Sequence, residues 1–478
     1  MDIVLVASEA LPFVKSGGMG DVVGALLKYL PAYGFRVKLF LPAYRNILDD
    51  SSFEEDRTID FSFGDRMTRA KFYKCRQEDR VIIAVDGESL FDREKLYGYF
   101  DDIRRFTFFS RAVFEYIVRF QDEKCVLHCH DWQSAILCAY VKMYWPSILH
   151  KPDKVIFTIH NLAYQGIGSG DLFRLVNLPG QFFTHEYLEF FGNINLIKAG
   201  LIFSDCLTTV SPTYAREITT PEFGEGLDGL IRALSIRKRI IGIVNGIDVE
   251  TYDPNRDPCL DFPFSADEKQ GKAKNRLQLL ERYFPRDLQE NRSFPVLSFI
   301  SRFVEQKGLD LILRDPARYF SLPARWVFLG VGEAVYEKTL LDLEKQYPSI
   351  KVILKFDDRT ARFLYGASDL HLLPSRFEPC GISQMIAMRY GALPLVRKVG
   401  GLLDTVIDYP FNPSLNTGFF FETYRTEDLF YALERALHIY TGWQDLWTTM
   451  MNNAMCSDFS WENPVRNYVD VYLRGSSP

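Results

Sequence analysis

Two loops of the chain combine glycines and cations in ways that suit binding of phosphate groups. The first, KSGGMGD at 15–21, follows an apolar run and opens a helical pattern. Gly17 and Gly18 let the backbone approach a ligand closely, the free N–H groups of a helix start attract anions, and Lys15 adds positive charge. A tight turn with an exposed lysine is an equal alternative. Neither the dinucleotide nor the Walker glycine spacing is present, which disfavours NAD and ATP.

The second loop, SRFVEQKG at 301–308, places two cations after a predicted strand of the second half. Arg302 and Lys307 could hold both phosphates of a nucleoside diphosphate. Departure of such a group builds negative charge on its oxygens, and fixed cations in a dry site stabilise that charge better than water does. The alternative is a solvated basic loop that Glu305 neutralises.

A carboxylate and a glycine turn in the second half could bind a sugar. Glu378 precedes a helical run, so its carboxylate could accept bonds from sugar hydroxyls while the amides of Cys380 and Gly381 donate others. Helix capping is the simpler interpretation of Glu378. Gly400–Gly401 forms another strand-to-helix turn and a second candidate phosphate nest.

Three histidines close predicted strands of the first half. His128 and His130 would share one face of a strand, which suggests zinc, but no further ligands follow at metal spacing. We therefore expect no metal ion. A core histidine is the default at each position. His160, at a strand end, is the better candidate for contacting a ligand.

Repeated short apolar runs with helical patterns between them, such as 20–30 and 106–119, predict an α/β fold with mostly parallel sheets. A polar, proline-rich segment after 248 indicates a domain junction. We expect domains at 1–248 and 249–459, and a final amphipathic helix within 460–478 behind Pro464. Two such sheets joined by a hinge place ligands at their carboxyl edges, in the cleft between domains. The predicted strands are 3–8, 36–42, 80–86, 125–130, 154–160, 206–211, 240–246, 296–303, 325–332, 351–356, 369–375 and 393–399.

Composition excludes several functional classes. The 478 residues are 47% hydrophobic and carry a net charge of -6, so nothing favours nucleic acid as a partner. No apolar stretch approaches the roughly 20 residues that cross a bilayer, and no signal peptide is evident. Eight cysteines without a CxxC indicate reduced thiols and a cytoplasmic location. Composition leaves the oligomeric state open.

Ordered motifs across the whole chain resemble the bacterial glycogen synthase and plant starch synthase family of glycosyltransferases. The resemblance implies a GT-B fold of two Rossmann-like domains, with the last helix crossing back to the first. It also implies transfer of glucose from ADP-glucose to the 4-OH of an α-1,4-glucan with retention, without a cofactor. The motifs are KSGGMGDV, HCHDWQ, TIHNLAYQG, VSPTYAREI, FGEGLDGL, NGID, SRFVEQKGLDL, PSRFEPCGISQM, VGGLLDTV and NTGFFF.

The same resemblance implies a role for each matching residue. The catalytic set would be Lys15, His160, Arg302, Lys307 and Glu378. Donor binding would use Lys15, Gly17, Gly18, Arg302, Lys307, Cys380, Gly381, Gly400, Gly401 and Thr405. The acceptor would contact Tyr99, Asp131 and Asn245, with Asn245 at the hinge end of the first domain. The chain departs from the family pattern at Asp102, Gln133, Tyr252 and Val399.

Two other functions compete with this one. Another GT-B enzyme could use UDP-glucose and a small acceptor such as fructose 6-phosphate. A glucan-binding regulator could keep the fold without turnover, although the retained cations and Glu378 speak against it. For the mechanism, the sequence allows double displacement or front-face transfer, and we favour the latter as a hypothesis.

Overall fold

The computed structural model describes residues 1–121, 123–144, 152–286, 289, 292–355, 357–409 and 412–474. The chain divides into two compact units, one made of Met1–Val244 with the C-terminal segment from Trp461, the other of Asn245–Ser460. The first boundary lies before the predicted 248/249. Asn245 therefore belongs to the second unit, and its assignment to the first domain was wrong.

The strands of the first unit are mostly short and apolar. The first, DIVLV, is buried along its whole length, as expected of a strand with helices on both faces of its sheet. In chain order the strands are β1 Asp2–Val6, β2 Arg36–Pro42, β3 Glu54–Phe63, β4 Arg66–Gln77, β5 Arg80–Asp86, β6 Cys125–His130, β7 Lys154–Ile159, β8 Ile167–Ser169, β9 Glu189–Phe190, β10 Asn193–Asn195, β11 Cys206–Thr209 and β12 Ile240–Gly242.

Within the described residues, a nine-stranded sheet has the order β12-β11-β7-β6-β1-β2-β5-β4-β3. The pairs from β12 to β5 are parallel, whereas β4 and β3 extend the sheet as an antiparallel hairpin. Because parallel strands end at one edge, the segments after β1, β5, β6 and β7 meet there. The strands β8, β10 and β9 form a separate small antiparallel sheet.

Helices of the first unit connect these strands. The C-terminal helix Glu462–Arg474 also belongs here: the Tyr472 hydroxyl lies 2.9 Å from His128 Nδ1, and Lys154 Nζ donates to the carbonyl oxygens of Val471 and Tyr472 at 3.0 and 2.8 Å. The others are Gly18–Tyr29, Arg45–Leu48, Asp102–Phe120, Asp131–Met143, Ile197–Phe203, Pro212–Glu217 and Asp228–Ser235, with 3-10 turns at Leu30–Tyr33, Gly170–Val176 and Gly180–Phe182.

The second unit contains a parallel sheet of the order β15-β14-β13-β16-β17-β18 in its described residues. The three neighbouring strands β13, β16 and β17 lead into the loops that carry the predicted cations, carboxylate and glycine turn. The strands are β13 Val296–Ile300, β14 Arg325–Leu329, β15 Ile350–Ile353, β16 Leu370–Leu373, β17 Leu393–Arg397 and β18 Phe419–Phe421.

Helices of the second unit cover this sheet. The proline-rich junction segment is held to them by Asp257, whose buried carboxylate accepts a bond from the Tyr390 hydroxyl and pairs with Arg362 at 3.3 Å. The helices are Gln270–Tyr283, Leu309–Leu313, Pro316–Phe320, Ala334–Gln346, Asp358–Ala367, Ser383–Arg389, Gly400–Thr405, Thr426–Gly442 and Gln444–Cys456, with 3-10 turns at Glu305–Lys307 and Pro413–Leu415.

The cysteines at all eight positions are free thiols. Among the helices that the structure describes, none has the length and apolar character needed to span a bilayer.

Candidate functional site

The loop after β1 is organised by a carboxylate that the sequence analysis did not single out. Glu9 is buried, and its Oε2 accepts bonds from the backbone N–H groups of Ser16 and Gly17 at 2.5 and 3.0 Å. Its Oε1 accepts bonds from the Ser16 and Tyr97 hydroxyls, both at 2.7 Å. Four donors on one carboxylate fix the KSGG loop at the carboxyl edge of the sheet.

Gly17 and Gly18 lie at the start of the helix Gly18–Tyr29. Gly17 is the N-cap and has no side-chain capping bond, so the first N–H groups of the helix stay available to an anion. A Cβ at Gly17 would meet nothing within 4 Å. This glycine therefore keeps the approach to the helix start open.

Lys15 is paired rather than free. Its Nζ lies 2.7 Å from Oδ1 of Asp21, and 34% of the Lys15 side chain is exposed. Burial raises the pKa of Asp21, while Lys15 opposes that shift. The ammonium group thus has a fixed position beside the helix start and an exposed side that can meet a phosphate.

Tyr99 is engaged within its own loop. Its hydroxyl accepts a bond from the Lys95 N–H at 2.9 Å, and the guanidinium groups of Arg93 and Arg105 lie 4.8 and 5.1 Å from the centre of its ring. These contacts hold the loop before the helix Asp102–Phe120, and the predicted contact of Tyr99 with the acceptor stays a prediction. Tyr97, which the sequence analysis did not single out, donates to Glu9, the carboxylate that holds the KSGG loop.

Asp131 and His160 come together at the ends of β6 and β7. Asp131 has a φ of 54°, a left-handed conformation that is uncommon for a residue with a side chain. Its Oδ1 accepts the backbone N–H of His160 at 2.7 Å. Burial raises the pKa of Asp131 to about 7 and lowers that of His160 to about 3. Asp131 therefore positions the backbone of His160. The predicted contact of Asp131 with the acceptor stays a prediction.

His128 and His130 belong to a buried polar network. The two nitrogens of His128 lie 2.9 Å from the Tyr472 hydroxyl and 2.6 Å from that of Thr158. His130 Nδ1 lies 3.0 Å from His160 Nε2. In the described part of the chain, no group of three or more potential ligands is arranged to hold a metal ion.

In the second unit, Arg302, Lys307 and Glu378 occupy adjacent loops at the carboxyl edge of the sheet. Lys307 Nζ lies 2.6 Å from Glu378 Oε2, which also accepts the Ser375 hydroxyl at 2.9 Å. Arg302 is exposed, and no described carboxylate pairs with it. Glu305 pairs with Arg376 at 2.5 Å and not with the two predicted cations. Glu305 therefore does not neutralise the two predicted cations.

The two glycine-bearing turns pack against each other through backbone atoms. A Cβ at Gly400, whose φ is 46°, would lie 1.9 Å from the Glu378 carbonyl oxygen, and one at Gly401 would lie 2.2 Å from that of Cys380. Only glycine fits at these positions. Gly381 has a φ of 75° and adjoins the Gln384 side chain.

The side chains of two predicted donor-binding residues, Cys380 and Thr405, are engaged within the protein, although the prediction for Cys380 concerned its backbone amide. The Thr405 hydroxyl donates to the Gly401 carbonyl at 2.7 Å and accepts from Gln384 Nε2 at 3.1 Å. The Cys380 thiol is buried, which raises its pKa to about 12, so it is a neutral group and no nucleophile. Its sulfur accepts the backbone N–H of Asn245 at 3.4 Å. Asn245 Oδ1 is buried and has no described partner.

Sequence reasoning missed Glu9, Tyr97 and Ser375. Each is a common residue outside any glycine or histidine pattern, and its role depends on which loops meet at the sheet edge. Position was the only signal available, because Glu9 lies three residues after β1 and Ser375 lies two residues after β16.

Models of two protein families match the chain. The model described as starch synthase catalytic domain matches residues 2–233, and the one described as glycosyl transferases group 1 matches residues 282–446. The two matches fall in the first and second units respectively.

Full-length relatives and solved structures agree with these matches. Glycogen synthases of Desulforamulus reducens and Bacillus cereus are each 37% identical over 99% of this chain, and the alignments cover 98% and 99% of those proteins. The catalytic domain of starch synthase IV from Arabidopsis thaliana, solved with ADP and acarbose, is 33% identical over 100% of this chain and 99% of its own, with a TM-score of 0.88. Sucrose-phosphate synthase from Thermosynechococcus elongatus, at 19% identity, 98% coverage of both chains and a TM-score of 0.61, shares the fold.

Proposed function

We propose that this chain, which belongs to the glycogen synthase and starch synthase family of glycosyltransferases, transfers glucose from ADP-glucose to the non-reducing 4-OH of an α-1,4-glucan. The predicted GT-B fold and the family resemblance are confirmed. ADP-glucose as the donor and retention of the anomeric configuration go beyond the family assignment, and we propose both. ADP is a ligand of the Arabidopsis starch synthase IV structure, which supports an adenine nucleotide here.

The observation that carries the proposal is the arrangement of Arg302, Lys307 and Glu378. An exposed guanidinium with no described carboxylate partner, in the same loop as a lysine that is already fixed by a carboxylate, is suited to a diphosphate. Lys307 and Glu378 need little rearrangement when negative charge builds on the leaving phosphate, and preorganised charges stabilise a transition state most effectively. Glu378 Oε1 remains for a sugar hydroxyl.

In the proposed step the bond between glucose C1 and the phosphate oxygen breaks, and a bond from C1 to the acceptor O4 forms on the same face. The proton of the acceptor hydroxyl passes to the departing phosphate oxygen, so no separate base is required. The carboxylate of Glu378 is held by Lys307 and Ser375, and the thiol of Cys380 is neutral. Neither group favours a covalent intermediate, which supports front-face transfer.

The test is incorporation of labelled glucose into glycogen, with ADP-glucose and UDP-glucose compared in parallel. We expect kcat/KM for ADP-glucose to exceed that for UDP-glucose by roughly 100-fold, the scale at which a pocket discriminates between related groups by shape, without hydrogen bonds dedicated to one of them. NMR of the product should show the α configuration at the new linkage. Faster transfer from UDP-glucose to fructose 6-phosphate would favour the rival enzyme. Binding of glycogen without incorporation from either donor would favour the regulator.

A further inference from the structure

The histidine that precedes Asp131 makes a contact that the proposed reaction does not yet use. His130 Nδ1 lies 3.0 Å from Nε2 of His160, and both rings are buried. Two consecutive residues thus hold His160: the Asp131 carboxylate accepts the backbone N–H of His160, and the His130 ring contacts the His160 ring. His160 belongs to the predicted catalytic set, and we expect its side chain to contact the donor glucose.

Each imidazole in this pair carries a single proton. Burial lowers the pKa of His160 to about 3 and that of His130 well below its usual range. Since one proton must lie between the two facing nitrogens, either His130 Nδ1 donates to His160 Nε2 or the reverse. The two arrangements place the remaining protons differently, and the surroundings distinguish them.

The far nitrogen of His130 decides between the arrangements. His130 Nε2 is buried and has no hydrogen-bond partner among the described residues. A proton there would be an orphaned buried donor, which costs about 1–3 kcal/mol and is rarer in proteins than an unused acceptor. The proton of His130 therefore belongs on Nδ1, where it is donated to His160 Nε2.

This assignment also determines which nitrogen of His160 carries its proton. With Nε2 accepting, the single proton of His160 must sit on Nδ1. In the described part of the chain nothing bonds to Nδ1, and it is not among the fully buried unpartnered atoms. We propose that His130 is a positioning residue that fixes His160 as the Nδ1–H tautomer, so that His160 presents a hydrogen-bond donor to the sugar.

This inference rests on the proposed function for its sugar, but its first readout does not depend on activity. In protein labelled with ¹⁵N-histidine, correlation of ring nitrogens with ring protons reports which nitrogen is protonated. The signals of His160 are assigned by their loss in His160→Gln. We expect protonated Nδ1 in the wild type. Protonated Nε2 on His160 would overturn the proposal.

Two substitutions at position 130 separate positioning from packing. Asparagine places an amide where His130 has Nδ1 and can still donate to His160, whereas leucine fills similar space without a donor. We expect His130→Asn to keep kcat within about threefold of wild type, and His130→Leu to lose about 10- to 100-fold in kcat, the scale for one misplaced catalytic hydrogen bond. The KM for the donor should change less than kcat.

Thermal unfolding of both variants provides the control for folding. If both variants lose kcat equally, or in proportion to a fall in Tm, His130 is only a packing residue and the proposal fails. If His130→Leu keeps the Nδ1–H tautomer of His160, the proposal also fails. If the wild type shows the Nδ1–H tautomer but makes no glucan from either donor, the proposed function fails while the tautomer assignment stands.

Discussion

At the scale of single residues, the proposed transfer depends on a few charged side chains, some of which already have partners within the protein. Glu378 illustrates this, because one of its oxygens is committed to Lys307 and Ser375. The position of the carboxylate therefore does not depend on the sugar. Sequence could identify Glu378 as a candidate, but the bond from Ser375, which lies in the same loop, became visible only from the conformation of that loop.

Glu378→Gln should lower kcat/KM for ADP-glucose by about 100-fold. The amide removes the charge that fixes Lys307 and turns one acceptor into a donor, and charge-assisted bonds are the strong ones. Glu305→Gln is the matched control, since Glu305 lies in the adjacent loop and its ion-pair partner among the described residues is the exposed Arg376. The measurement is the steady-state kcat/KM for ADP-glucose in both variants. Equal, small losses in the two variants would remove Glu378 from the proposed site.

At the scale of elements, the predicted apolar runs are confirmed as strands. β2, β5 and β6 have the predicted ends, and several other strands stop a few residues early because their last residues turn into the loops at the carboxyl edges of the sheets. The period of apolar residues fixes where a buried strand lies, whereas its end depends on the tertiary contacts of the loop. His160 lies in such an end, and Glu9 follows another.

The hairpin of β3 and β4 was not predicted. In Glu54–Phe63 only Ile59, Phe61 and Phe63 are buried, and charged residues crowd the first half of the strand. The alternation is that of an edge strand with one solvated face, and a search for continuous apolar runs passes over it. The charges on this edge also disfavour pairing with another chain.

The contact between the two glycine turns gives a prediction for Gly400→Ala. The added Cβ would lie 1.9 Å from the Glu378 carbonyl oxygen, at a φ of 46° that favours glycine, so we expect a loss of about 1–3 kcal/mol in the free energy of unfolding. Gly229→Ala is the control: its Cβ would meet nothing within 4 Å inside the helix Asp228–Ser235. Urea unfolding should show a small gain there, of about 0.5–1 kcal/mol. Equal stability of the two variants would contradict the close approach.

At the scale of the whole molecule, buried neutral histidines make stability depend on acid pH. Burial lowers the pKa of His128, His160 and His371 from 6.5 to about 3, and shifts His130 in the same direction. The unfolded chain therefore binds more protons below pH 6.5, and these histidines destabilise the fold as pH falls. Asp131, with its pKa raised to about 7, opposes them by one proton.

From these groups we expect uptake of about three protons on unfolding near pH 5. The free energy of unfolding should therefore decrease by roughly 4 kcal/mol for each unit by which the pH is lowered there. Urea unfolding in weak buffer, with the proton uptake measured directly, tests this. His371→Asn should reduce the uptake by about one proton, whereas His438→Asn, at an exposed position, should leave it unchanged. The same uptake in all three proteins would contradict the effect of burial.

The proposed reaction requires the cations of the loop at 301–308 to stabilise the departing ADP, and Arg302→Ala is the sharpest test because Arg302 is exposed and its loss leaves no described carboxylate unpaired. The measurement is kcat for glucose incorporation from saturating ADP-glucose into glycogen, with Arg376→Ala as the control. We predict a loss of about 10²- to 10³-fold for Arg302→Ala, the scale of one transition-state donor, and near-normal turnover for Arg376→Ala. Turnover of Arg302→Ala within about threefold of wild type would contradict the account.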